Sequence, residues 1–362
     1  MGPKRTSSAG VGSVSDSRTG ELALLLQIRT RAARPSAALR LGIGDDCALL
    51  RLHAGEELAV TTDLSIAGRH FRLDWHPPES VGHRTLARGL SDLAAMGARP
   101  LAAFVSLGLP RELAEPGRTR PKASAPNRRP TWVSRFYDGL LSLSDAQKTP
   151  LAGGDLAESP VAVADIVLAG AVPHGKALLR SGARAGDLLY VTGSLGGAAA
   201  GLASLAELAA ASPASSTRRL RLPKIPQKLD ALLSPHLYPQ PRIAQGLWLR
   251  RHSLATSAID LSDGLSTDLA HLCGGSGLAA ELDVARLPMH PAATLAQALH
   301  GGEDYELLFT ASPGAKLPRS IAGVPVTKIG RMVPRRAGRP QVVLISPQGK
   351  QPLAPRGWQH FC

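Results

Sequence analysis

Apolar positions recur at helical spacing over residues 21–31, and the pattern predicts further helices over 81–96, stopped by Gly97, and over 132–143. Between them lie short apolar runs of strand type at 58–62, running into Asp63, at 101–107 and at 161–169. Pro150 leads into Leu151 and an expected turn at Gly153–Gly154. Beyond Pro173 the pattern restarts: a strand at 188–192, a turn through Gly193, Gly196 and Gly197 into a helix of small residues, a strand at 258–261, a helix at 265–272 and a strand at 305–310. Strands alternating with helices in both halves predict an α/β or α+β protein with two domains, 20–173 and 174–362, behind a Ser/Gly-rich tail at 1–19. Segments 115–130 and 212–227 are rich in Pro, Arg and Ser and read as a flexible insertion and a loop, because they carry too little apolar area to offset chain entropy.

Composition narrows the class. At 362 residues and 44% apolar, the chain can fill two cores. It has no run of about twenty apolar residues and no apolar leader at its start, so a soluble cytoplasmic protein with no membrane partner is expected. Cys47, Cys273 and Cys362 lie far apart without metal-type spacing, which predicts neither zinc nor a disulfide framework. The net charge of +14 raises the question of nucleic acid. Much of it falls in two loop-like stretches, 118–135 and 331–339, and aromatic residues make up only 4%, so stacking on bases is not expected and the charge reads as solvated surface.

Six short acidic segments then change the picture: GIGDDCALL (42–50), TTDLSIAGRHF (61–71), LSDLAAMGA (90–98), GGD (153–155), IDLSDGL (259–265) and GGEDYELLF (301–309). Singly, each is equally well read as a turn or a helix cap. Jointly they bring Asp46, Asp63, Asp92, Asp155, Asp260 and Asp263 to strand ends and turns, where α/β folds place ligands. Such carboxylates repel one another and any phosphate unless cations stand between them, and Mg²⁺ is the cation that shares carboxylates with phosphate oxygens. A metal-dependent phosphoryl-transfer or phosphate-activating enzyme follows, with the substrate left open. Two phosphate motifs are excluded: 170–176 mimics a P-loop but carries Pro173 in its cradle and Ala177 where a hydroxyl is needed, and no complete GxGxxG is present. The triplet Leu90-Ser91-Asp92 recurs as Leu261-Ser262-Asp263, a weak hint of duplicated lobes.

In order and wording, these segments, with RSGARAGD and the small-residue helix, closely resemble the thiamine-monophosphate kinase family of the aminoimidazole-ribonucleotide synthetase superfamily, over residues 39–361. The resemblance implies two α/β lobes, N-terminal strands closing a barrel across a homodimer, and direct transfer of the γ-phosphoryl of ATP to thiamine monophosphate. It also implies that Asp46, Thr61, Thr62, Asp63, Asp92, Asp155, Asp260 and Asp263 hold several Mg²⁺ ions. Tyr137, Gly154, Asp155, Arg180 and Ser262 would contact ATP, and His70, Glu303 and Trp358 the thiamine phosphate, with Asp63, Asp155 and Arg180 central to catalysis. The chain departs from the family pattern in four places: GGDLAESP lacks the hydroxyls and Arg usual beside Asp155, Gly197 stands where Asp is common, Tyr238 stands where Arg is common, and the insertion after Leu109 is long. None of these removes an expected metal ligand. A relative using another acceptor, or a non-catalytic thiamine phosphate binder, are the competing expectations.

Overall fold

The computed structural model describes residues 21–114, 130–211, 227–358 and 361. The expected tail 1–19, nearly all of the insertion 115–130 and nearly all of the loop 212–227 lie outside these residues.

Two large sheets carry the chain, beside a two-stranded pair of Leu39–Leu41 with Leu49–Leu50. The first has four strands in the order Glu56–Ile66, Val163–Pro173, Arg99–Leu109, Leu151–Glu158, antiparallel except for the last pair. The second runs Gly349–Pro352, Val342–Ser346, Leu278–Asp283, Val324–Pro334, Leu188–Thr192, Leu307–Ala311, Ser257–Asp260, with Ser320–Ile321 paired to Val324–Pro334. Val342–Ser346 joins Leu278–Asp283 in parallel, and the other described pairs of this sheet are antiparallel. The protein is therefore mixed α/β of the α+β kind.

Helix Pro78–Ala95 lies between the two sheets, and fifteen of its residues are buried. Leu86, Leu90 and Leu93 share a core with Ile166 and Leu168 of the first sheet and with Leu307 and Phe309 of the second. Strand Leu307–Ala311 is buried on both faces, since alternate side chains of a strand point opposite ways: Leu307 and Phe309 face this core and Leu308 the core of the second sheet. Helix Trp132–Ala146 completes the first layer and crosses Pro78–Ala95 at backbone contact. A Cβ on Gly82 would meet the Phe136 carbonyl oxygen at 1.9 Å, and one on Gly139 would meet that of Glu79 at 1.8 Å.

Several expected elements change length or type. The strand expected at 58–62 runs over Glu56–Ile66, so Asp63 sits inside a strand, opposite Ile166, rather than at its end. The strand at 161–169 runs over Val163–Pro173, which makes the P-loop mimic partly strand and supports its rejection. The turn expected at Gly153–Gly154 is instead part of strand Leu151–Glu158. Glycine is needed there for another reason: Gly154 has φ of +145°, and a Cβ would meet the Val105 carbonyl oxygen at 1.9 Å. The strand expected from Tyr305 begins at Leu307. Of the two matching triplets, Leu90-Ser91-Asp92 lies inside a helix and Leu261-Ser262-Asp263 in the loop before helix Leu265–Ser276.

The reciprocal glycine crossing sets a test. Gly139→Ala must push the two helices apart, and should lower the unfolding free energy by about 1–3 kcal/mol, the usual range for overpacking. Urea denaturation of the variant beside wild type measures it.

Candidate active site

One polar stripe on an otherwise buried helix organises the site. Arg88 stands four residues after Arg84, and Ser91 and Asp92 stand three and four after Arg88, which places them along one side of helix Pro78–Ala95. Each meets a partner from another segment. Arg84 Nη2 donates to both carboxylate oxygens of Glu303, at 2.6 and 2.7 Å. Arg88 grips Asp63 through Nε at 3.0 Å and Nη2 at 2.9 Å. The Ser91 hydroxyl donates to Asp260 Oδ2 at 2.7 Å, and the Thr61 hydroxyl to Asp92 Oδ2. Glu303 and Asp260 come from the second half of the chain and Asp63 and Thr61 from the first, so the stripe runs along the seam between the two sheets.

The segment Gly301 to Glu306 gives its three acids three roles. Glu303 faces the seam. Asp304 accepts from the Gly196 and Ala198 amides at 2.6 and 3.0 Å, holding the start of helix Gly197–Ala210, where the chain has Gly197 instead of an acid. Glu306 is buried in a double ion pair with Arg242, at 2.5 and 2.6 Å, and accepts from the Thr192 hydroxyl. Burial alone would raise the Glu303 carboxyl, but the Arg84 guanidinium, with Arg88, holds it down to about 2. Glu303 adopts φ of +68°, and its amide donates to the Ser262 carbonyl at 2.8 Å, which ties this segment to the loop carrying Ser262 and Asp263. The Trp358 amide donates to the Asp263 carbonyl at 3.1 Å, so the half-exposed indole is set beside the same loop. His70 stands next to Glu303: its carbonyl accepts from Arg84 Nη2 at 3.1 Å, and its Nδ1 accepts from the Ile66 amide at 3.0 Å.

A second group lies across the first sheet. A cleft of about 360 Å³ brings Asp46, Tyr137, Gly154 and Asp155 together with Ile43 and Cys47. Tyr137 is buried, and burial raises its phenol. The strand registers place Asp63, Ile166, Val105 and Gly154 in one cross-strand row. Three strand spacings of about 4.8 Å then separate Asp63 from Gly154, a span of about 14 Å that an extended ligand can cross. Thr62 stands apart from both groups. Its neighbours Thr61 and Asp63 point toward helix Pro78–Ala95, and strand alternation sends Thr62 to the opposite, exposed face.

Asp92 and Asp260 show what the seam lacks. Burial, then the neighbouring Asp63 charge, raises the Asp92 carboxyl against the Thr61 hydrogen bond. Burial, then the Asp92 charge, pushes Asp260 up to about 7. Exposed Arg180 counters both from the rim. Asp268 rises to about 8 through burial and the charges of Asp260 and Asp263. Among the described residues no three His, Cys, Asp or Glu side chains stand close enough together to hold a metal ion by themselves. Under-compensated carboxylates with hydroxyl neighbours nonetheless form an all-oxygen donor set, which fits a hard cation that completes its shell with phosphate and water. The sequence did not single out Arg84, Arg88, His236 or Asp268; the one available signal was the spacing of Arg84, Arg88 and Asp92 within a segment already read as helix.

This two-sheet architecture, with its acidic seam, places the chain in a known class. Residues 44–172 match the family described as AIR synthase related protein, N-terminal domain, and residues 184–342 match its C-terminal domain. The chain is 39% identical over 325 residues to the thiamine-monophosphate kinase of Escherichia coli K12, covering 86% of this chain and 90% of that one. The crystal structure of thiamine-monophosphate kinase from Stenotrophomonas maltophilia K279a superposes with a TM-score of 0.72 at 35% identity, covering 90% of this chain and 96% of that one. The structure of AaThiL complexed with AMPPCP and TMP superposes with a TM-score of 0.68 at 28% identity, covering 97% and 100%. The chain belongs to the thiamine-monophosphate kinase family.

The raised carboxyl of Asp260 fixes a pH effect. Its folded pKa of about 7 lies above the ordinary Asp value of about 3.9, so its contribution to stability is complete at low pH and is lost as pH climbs from about 4 to about 7. Asp260→Asn should therefore melt above wild type at pH 8 in chelator and lose that advantage near pH 4, and added Mg²⁺ should raise the wild-type melting temperature more than the variant's. Differential scanning fluorimetry across pH and Mg²⁺ reads all three.

Proposed function

We propose that this chain transfers the γ-phosphoryl group of ATP to thiamine monophosphate, forming thiamine diphosphate. The observation that carries this reading is the pairing of a nucleotide-sized cleft at Asp46, Tyr137, Gly154 and Asp155 with an acidic, arginine-bearing seam on the same sheet. AaThiL, whose fold this chain shares, was solved with AMPPCP and TMP. In this assignment Tyr137 and Gly154 take the nucleotide, the triphosphate runs toward Asp155, Ser262 and Arg180, and His70, Glu303 and Trp358 take the acceptor.

The acceptor is already a phosphate anion, so no strong base is required. The residues must align two phosphates and offset their charge. Asp46, Thr61, Asp63, Asp92, Asp155, Asp260 and Asp263 would hold several Mg²⁺ ions, with Thr62 available only through its backbone because its side chain faces away. Bound Mg²⁺ supplies the positive charge that lets donor and acceptor phosphates approach. Arg180 reaches the same place from the rim and offsets charge on the transferring group. Arg88 already occupies Asp63, so that carboxylate acts as a shared anchor and not as a nucleophile, in keeping with direct transfer.

The homodimer belongs to the same reading. Strand Glu56–Ile66 is the outer strand of its sheet and exposes Leu58, Val60 and Leu64 on the face away from the helices. A second copy pairing there would cover an open apolar edge and close the barrel. No helix among the described residues is long and apolar enough to cross a membrane; the proposed cytoplasmic location rests instead on the reaction's draw on the cell's ATP.

With ATP, Mg²⁺ and thiamine monophosphate, the protein should form thiamine diphosphate, detectable by chromatography of the fluorescent thiochrome derivatives. Asp155→Asn and Asp63→Asn should each lower kcat/KM by about 100-fold or more, with circular dichroism unchanged in Asp155→Asn and a lowered melting temperature in Asp63→Asn, which leaves Arg88 without its carboxylate. Absence of product from wild type would overturn the kinase reading, and full activity in both variants would overturn the metal assignment.

A further inference from the structure

After strand Gly349–Pro352 the chain runs back to the loop that carries Asp263 and is fastened there at close quarters. Leu353 is the anchor: its side chain is buried in the core of the second sheet, and its amide donates to the Val342 carbonyl at 2.9 Å. Three consecutive amides then dock on the start of helix Leu265–Ser276 and the loop before it. Arg356 donates to the Ser266 hydroxyl at 3.3 Å, Gly357 to the Thr267 hydroxyl at 3.0 Å, and Trp358 to the Asp263 carbonyl at 3.1 Å. Ser266 is itself set by His300 Nδ1 at 2.9 Å, and Thr267 is buried. A Cβ on Gly357 would meet the Asp263 carbonyl oxygen at 2.0 Å and Thr267 Oγ1 at 2.6 Å, so the two backbones touch and only glycine fits.

Asp263 is where this segment meets the site. Its amide and that of Gly264 donate to the buried Asp268 carboxylate, at 3.1 and 3.0 Å, so Asp263 is held from the helix side as well as by Trp358. One residue thus carries two parts of the site: a carboxylate of the oxygen donor set, and a carbonyl that fixes the amide of the residue whose indole is assigned to the acceptor. A shift of Asp263 toward a cation has to carry residues 356–358 with it, because hydroxyl, carbonyl and glycine leave no slack between them. Trp358 stands at the end of that segment, 49% exposed, so its position is set by the docking of the backbone behind it.

We propose that residues 353–358 form a strap, with Thr267 and Gly357 as positioning residues, that makes cation binding at Asp263 and acceptor binding at Trp358 cooperative. The proposal rests on the kinase reading above and adds to it a coupling between two parts of the site. By linkage the coupling is reciprocal: a cation that settles Asp263 tightens the acceptor, and the acceptor tightens the cation by the same factor.

Thiamine without its phosphate is the probe that isolates the strap. It has no phosphate oxygen to share with a metal ion, and bound Mg²⁺ repels its thiazolium cation, so direct electrostatics would weaken its binding. Calorimetry on wild type without nucleotide should instead show thiamine binding about fivefold or more tighter in Mg²⁺ than in chelator, the low end of measured couplings. Thr267→Val exchanges the hydroxyl for a methyl of similar size, and Gly357→Ala lifts the strap; each should bring that ratio to about one or below. Thr267→Ser keeps the hydroxyl and should restore it. If a variant does not fold, as circular dichroism will show, the wild-type ratio and the remaining variants decide. Wild type that binds thiamine no tighter in Mg²⁺, or a ratio in folded Thr267→Val equal to that of wild type, overturns the inference, while formation of thiamine diphosphate in the separate assay upholds the kinase reading. No thiamine diphosphate from wild type overturns the kinase reading and the strap's role with it.

Discussion

The site depends on burying charge along one helix. Pro78–Ala95 is enclosed by both sheets, yet it carries Arg84, Arg88 and Asp92, groups that are costly to bury unless paired. Their partners arrive from both halves of the chain: Glu303 and, through Ser91, Asp260 from the second, and Asp63 and Thr61 from the first. Removing one partner would strand a buried ion, so the lobes are held in the relation that satisfies all four contacts together. The same four contacts line the seam proposed above for the substrate. Architecture and site are thus one constraint, and a ligand binding in the seam touches groups that also hold the halves together.

The two carboxylate populations at the seam are arranged oppositely. Glu303 is held ionised by Arg84 at a pKa of about 2, whereas Asp260 sits at about 7 because burial and Asp92 outweigh its hydrogen bond from Ser91. One has its charge met by a fixed partner. The other is under-compensated, which is the electrostatic state expected of a donor set awaiting a cation. Under the proposed kinase reading, the paired carboxylate would suit the organic end of the substrate and the under-compensated ones its phosphate end, which arrives with counter-ions.

The sequence exposed the acidic half of this arrangement and concealed the basic half. Segments such as GIGDDCALL and GGEDYELLF stand out because Asp and Glu cluster beside glycine, and the cleft does gather Asp46, Gly154 and Asp155. Arg84 and Arg88 were hidden by composition: in a chain with 42 Lys and Arg, two more on a helix read as surface. Segments distant in sequence, among them strand Glu56–Ile66 around Arg88 and Glu303 and His236 around Arg84, make them interior, and long-range burial is not encoded in any local window. Gly153–Gly154 misled in the reverse sense. A glycine pair signals a turn from local preference, but here the Val105 carbonyl passes too close for any side chain, a contact set by strand pairing between distant segments.

Alternation also corrects the reading of TTD as a single ligand unit. Consecutive strand residues cannot share a face, so Thr61 and Asp63 enter the seam while Thr62 turns to the open side bearing Leu58, Val60 and Leu64. The outer strand therefore has two faces with different chemistry, one polar and turned to the helix, the other apolar and uncovered. Covering the apolar face with a second copy would stiffen the strand that supplies Thr61 and Asp63, because an edge strand gains hydrogen-bond partners on pairing. In that arrangement the order of the metal-facing side would depend on what packs against the opposite side. Assembly and the electrostatics of the seam would then be linked through one strand, with no residue of the partner needing to enter the site.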